Sequence, residues 1–189
     1  HGLLRRQRQM CIRDSDYPFA MVDSLISELK INELLARNDS VNTDESGEFD
    51  DWLELFNPTD QPISLAGLYL TDDLSELTKW QFSDSIESIM SGDYLLIWCD
   101  EDISQGNQHT NFKLSADGET VVLTSRNGIT IIDSVSYGTQ IPNQSFGRIQ
   151  DGESDWGILH PTPAYSNMQL STVLNLSLIH ISEPTRQIV

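Results

Sequence analysis

Cysteine is nearly missing: the 189 residues carry two, Cys11 and Cys99. Two thiols can close one bridge at most and give no disulfide framework. Positive charge is scarce as well. Lysine and arginine number 11 against 29 aspartates and glutamates, a net charge of −18. A surface of that sign repels phosphate, so direct nucleic-acid binding is opposed unless divalent cations bridge it. Long apolar runs are missing too. The longest, YLLIWC at Tyr94–Cys99, has strand length, against the roughly 18 residues of a membrane helix. There is no glycine-rich phosphate loop, no G-x-S-x-G elbow and no H-E-x-x-H, so the common signatures of phosphoryl transfer, acyl transfer and zinc hydrolysis are not present. The expectation is a chain without catalytic residues.

The few arginines are placed unevenly. Four of them lie in RRQRQMCIRDS, Arg5–Ser15, ahead of an otherwise acidic chain. No apolar stretch follows them, so they do not head a signal peptide. The other end, LSLIHISEPTR at Leu176–Arg186, explains them. Back-translation of Met10–Ser15 gives DNA whose reverse complement encodes Leu-Ser-Leu-Ile-His-Ile, the peptide at Leu176–Ile181. Both ends resemble translated adapters of transposase-based sequencing libraries. Residues 1–15 and 176–189 are therefore expected to be scars and are set aside. What is left has 6 lysines and arginines against 27 acids, a net charge of −21. Cys99 then stands alone, in the most apolar segment, where a core thiol is expected.

The interior reads as strands and turns. Leu29–Ala36, Asp51–Asn57, Ile63–Leu70, Thr78–Phe82, Tyr94–Cys99, Thr110–Leu114, Glu119–Ser125 and Ile129–Gly138 are strand-like, followed by a pair at Ser145–Gln150 and Asp155–His160. Asn127-Gly128 predicts a type I′ hairpin turn. Trp80 and Phe82 fall on one face of their segment. Tyr94–Cys99 is apolar on both faces, which suits a central strand, and only Ser83–Met90 hints at a turn of helix. Eight to ten short strands at this spacing imply an all-β sandwich or barrel. Residues 16–28 read as a linker or the end of an upstream region, 29–167 as the sandwich and 168–175 as the start of a downstream linker.

An ordered series of segments carries a family resemblance. LKINELLARND (Leu29–Asp39), GEFDDWLELFNPTDQPISLAGLYLTDD (Gly47–Asp73), KWQF (Lys79–Phe82), SGDYLLIWCDED (Ser91–Asp102), HTNFKLSADGETVVLTSRNG (His109–Gly128), DSVSYGTQIPNQSFGRIQDG (Asp133–Gly152) and PTPAYSN (Pro161–Asn167) together resemble a lamin tail domain of the bacterial kind. The resemblance implies an immunoglobulin-like β-sandwich. It implies a binding, anchoring or spacer module within a larger secreted or cell-surface protein, partnered by other domains of the same polypeptide and by a surface ligand. The alternative it leaves open is an accessory domain of an extracellular hydrolase such as a nuclease, contributing to substrate binding. No catalytic residue comes with it.

Acidic clusters are the chemical feature that rises above background. Asp44, Glu45, Glu48, Asp50 and Asp51 surround Gly47, Asp100–Asp102 follow a strand, and Asp72-Asp73 form a pair. Calcium takes six to eight oxygens from carboxylates and carbonyls of a flexible loop. Asp44, Glu48, Asp50 and Asp51 are the candidate calcium ligands, and sequence cannot place Asp100–Asp102 beside them. The competing expectation is a solvated acidic face that favours solubility. His109 and His160, with no zinc-like spacing, are expected to face solvent or to be hydrogen-bonded. Trp52, Trp80, Trp98 and Trp156 could stack on sugars or bases, though tryptophan at strand spacing is more often core.

Overall fold

The computed structural model describes residues 24–168. The adapter-like ends lie outside the described residues, as do 16–23 and 169–175 of the expected linkers. Among the described residues nine strands follow one another: β1 (Lys30–Leu35), β2 (Trp52–Phe56), β3 (Tyr69–Thr71), β4 (Trp80–Gln81), β5 (Tyr94–Trp98), β6 (Gly118–Thr124), β7 (Ile131–Gly138), β8 (Ser145–Arg148) and β9 (Trp156–Leu159). They form two antiparallel sheets, ordered β5-β2-β1-β8-β9 and β4-β3-β6-β7. This is the expected immunoglobulin-like sandwich. Among the described residues no helix is long and apolar enough to cross a membrane.

Period-two alternation builds the core. Leu53 and Leu55 of β2, Ile97 of β5, Leu70 of β3, Trp80 of β4 and Val121 and Leu123 of β6 point between the sheets. Each fully buried aliphatic side chain contributes roughly 1.5–3 kcal/mol relative to exposure. Trp80 and Phe82 meet edge to face with centroids 4.6 Å apart, both in this core, as their shared face predicts. Leu25 and Ile26, read as linker in the sequence, pack against the same core.

Several local expectations are corrected. β5 is at the edge of its sheet's ladder, not at the centre. It is apolar on both faces because the segment between β1 and β2 covers the outer one: Trp98 and Leu96 pack with Leu35, Trp52 and Val41 in a second cluster. Trp98 is therefore buried, but on the outer face and away from Trp80. Ile63–Leu70 is mostly not strand. Ile63 makes a single bridge to Ile89, and Gly67 turns the chain at φ 77°. Thr110–Leu114 contributes bridges only at its margins, His109 to Trp98 and Lys113 to Asp100. At the hairpin between β6 and β7 only Gly128 has positive φ, at 68°, and Asn127 does not. The Asn127 side chain instead accepts the N–H groups of Ile129 and Thr130, and the register shifts beside Thr124. A type I′ turn needs both central residues at positive φ, so a wider loop forms. Ser83–Ile86 is one hydrogen-bonded turn.

Candidate functional site

Because β2 lies between β1 and β5, the chain leaving β1, the chain entering β2 and the chain leaving β5 meet at one end of the sheet. Backbone bonds hold that meeting in place. Cys99 N–H donates to the Asp51 carbonyl at 2.8 Å, which aligns the start of β2 with the end of β5. Trp98 N–H donates to the Gln108 carbonyl and Thr110 N–H to the Trp98 carbonyl, so His109 is carried against the end of β5. Asn38 fastens the loop from below: its amide donates to the carbonyls of Asn42 and Asp50, and its Oδ1 accepts from Val41 N–H. Trp52 adds an indole N–H to Asn42 Oδ1 at 2.8 Å.

The acidic side chains converge on this end. Carboxylate oxygens of Asp44, Glu48 and Asp50 lie within 4.8 Å of one another, and so do donor atoms of Asp44, Glu45 and His109. A polar cleft of ≈ 270 Å³ is lined by Glu48, Phe49, Asp50, Asp100, Asp102, Gln105 and Lys113. Gln105 ties the two loops, donating to Glu48 and Asp102 and accepting from Ser46. Desolvation raises the Asp50 carboxyl above its ordinary range, and the charges of Asp100, Asp44 and Glu48 add to it. The charge of Lys113 in the cleft acts the other way but does not outweigh them, so like charges are crowded with few donors between them.

Asp44 is the centre of the arrangement. It is 7% exposed. Its Oδ1 accepts the N–H groups of Ser46 and Glu48, the geometry of a carboxylate-capped turn closed by Gly47 at φ 83°. Its Oδ2 is buried and finds no hydrogen-bond partner among the described residues. An unmet buried carboxylate oxygen costs about 1–3 kcal/mol or more.

Of the four expected calcium ligands, Asp44, Glu48 and Asp50 are brought together. Asp51 joins neither group of donor atoms. It accepts Asn38 N–H at 3.2 Å, and burial pushes its carboxyl up to about 6. Asp100, which sequence could not place, stands against the site. His109 was not foreseen as part of it. The ring is 1% exposed, with Nδ1 2.5 Å from Asp100 Oδ2 and Nε2 3.3 Å from Glu45 Oε2. Burial lowers its proton affinity, but the hydrogen bonds and charges of Asp100 and Glu45 outweigh that and raise it. Glu45 and His109 are 64 residues apart, so no local spacing signals the pair.

The other candidates are structural. Trp52, Trp80 and Trp98 are buried, and Trp156 stacks on Phe146 with Arg148 over its ring, so the tryptophans form no common platform. Cys99 is a free, buried thiol whose proton is held firmly by desolvation. An apolar cleft of ≈ 430 Å³ lies between Ile26, Leu68 and the β6–β7 hairpin at Ile131, and no acid lines it.

Comparison with known proteins adds one finding. A family model described as Lamin Tail Domain matches residues 24–139. The match ends before β8 and β9, which nonetheless complete the five-stranded sheet. No curated protein and no solved structure matches the chain.

Proposed function

The chain belongs to the lamin tail domain family, and from that premise we propose that it is a non-catalytic binding and spacer module of a larger secreted or cell-surface protein. A hard dication, calcium by its all-oxygen ligands, orders its acidic β1–β2 loop through Asp44, Glu48 and Asp50. The other domains of the same polypeptide are its first partners. The observation that carries the reading is Asp44 itself: a carboxylate oxygen of it lies within 4.8 Å of those of Glu48 and Asp50, and its buried Oδ2 has no donor. Calcium accepts such a mixed, flexible oxygen shell, with backbone carbonyls and water completing it. It would relieve the repulsion that adds to burial in raising Asp50 and would order a loop whose backbone is costly to fix.

The experiment is a thermal melt of the full chain in chelator, in millimolar magnesium and in millimolar calcium. A ligand that binds only the folded state at a hundredfold excess over its Kd stabilises it by about 2.7 kcal/mol. For a domain of this size that is a rise of roughly 5–10 °C. The expected result is a calcium shift, smaller with magnesium and lost in Glu48→Gln/Asp50→Asn. No shift with calcium, or the same shift in the double variant, returns these residues to a solvated acidic face. Sequencing the native gene around this segment tests the module assignment: an export signal and further domains support it, and a solitary domain without one contradicts it.

A further inference from the structure

We propose that Asp44, Glu45 and His109 form a second kind of metal site, one for a divalent transition metal, zinc by its donor set. Each residue offers one donor atom, and the three atoms lie within 4.8 Å of one another. Two of the three residues are buried, and Asp44 keeps an Oδ2 without a partner. His109 supplies the nitrogen donor, and its surroundings orient it.

Asp100 is 2% exposed at its side chain, and its Oδ2 stands 2.5 Å from His109 Nδ1. A carboxylate accepts from a ring N–H, so the bond to Asp100 uses Nδ1 as donor and turns Nε2 towards Glu45 Oε2, 3.3 Å away. Two ligands of one tetrahedral zinc, with bonds of about 2.0–2.2 Å, stand roughly 3.3–3.4 Å apart, so the pair is already spaced to share an ion. A histidine that binds metal through one nitrogen commonly donates its other N–H to a carboxylate, which fixes the ring and strengthens it as a donor. Asp100 has that place, and it is held in turn by Asp102 N–H at 2.9 Å.

The imidazole nitrogen selects the metal. Calcium and magnesium take oxygen shells, whereas imidazole suits zinc and its neighbours. Three protein donors leave one tetrahedral position, on the side of Glu45, whose side chain is 70% exposed. Water or a carboxylate from outside fits there. The inference does not rest on the calcium reading, since of the calcium ligands it uses only Asp44.

The test is a zinc titration of the full chain by calorimetry, repeated with cobalt(II), whose visible absorption reports tetrahedral coordination. Glu45→Gln is the main variant, because that side chain is exposed and its loss spares the fold. His109→Asn is the second. The expected result is one equivalent of zinc bound by the wild type, weakened at least tenfold in Glu45→Gln, with the tetrahedral cobalt band lost in both variants. The calcium shift of the melt should survive Glu45→Gln, so the two sites can fail separately. No zinc uptake by the wild type, or uptake unchanged in Glu45→Gln, overturns the proposal.

Discussion

Glu33, Glu54 and Asp151 lie beneath the segment 161–167 on the outer face of the five-stranded sheet, while Asp44, Glu48 and Asp50 lie at the end of the same sheet, and the two trios meet very different surroundings. In the first, each carboxylate is met by two or three donors. Glu33 accepts from Ser145 Oγ, Thr162 N–H and Thr162 Oγ1. Glu54 accepts from Asn32 and Ala164 N–H, and Asp151 from Asn32, Ser166 and Asn167. In the second, Asp44 has one oxygen doubly met and the other unmet, and charges of the same sign crowd around it. Burial with donors makes a clasp that fastens the C-terminal segment to the sheet. Crowding with fewer donors is what the proposed cation would relieve.

The contrast breaks most visibly at Glu33. Glu33→Ala leaves at least three donors without their acceptor, at about 1–3 kcal/mol each when buried. The expected loss is on the order of 3–5 kcal/mol, read as a drop in the midpoint of urea or thermal unfolding. Asp50→Asn in chelator should leave stability unchanged or raise it, because it removes repulsion. Similar losses at the two positions would erase the distinction.

A smaller, pH-dependent effect sharpens it. Desolvation, with the charge of Glu33 adding, pushes the Glu54 carboxyl up to about 9 from an ordinary 4.5. Between those values the folded protein holds a proton that the unfolded chain has released. The stabilisation is therefore fully present below about pH 4.5 and is lost as pH rises towards about 9. One proton corresponds to a slope of up to about 1.4 kcal/mol per pH unit. Unfolding midpoints should fall between pH 6 and 9, and Glu54→Gln should flatten that decline. An unchanged slope in the variant would mean that Glu54 ionises freely in the fold.

These two regions also divide what a reader of the sequence could see. The strands are legible because Trp52–Phe56 and Gly118–Thr124 alternate, and the acidic loop is legible because its carboxylates are neighbours in the chain. The clasp is not. Thr162 meets Glu33 across 129 residues, so nothing near Glu33 marks it as buried. The same reason hides His109, whose partners Glu45 and Asp100 come from another loop and another strand end. Tyr94–Trp98 misleads in the opposite direction: its apolar outer face reflects a covering loop that contributes Val41, and a central strand would give the same pattern. Local periodicity reports that a face is covered, not what covers it.

The most direct measurement sets one carboxylate from each region against calcium. The full chain, its Asp44→Asn variant and its Glu54→Gln variant are melted in chelator and in millimolar calcium. Asn keeps an oxygen for the Ser46 and Glu48 N–H groups and removes only the charge and the free oxygen. The account predicts a calcium shift of roughly 5–10 °C in the wild type and in Glu54→Gln, and none in Asp44→Asn. A wild type indifferent to calcium, or a shift that survives Asp44→Asn, would contradict it.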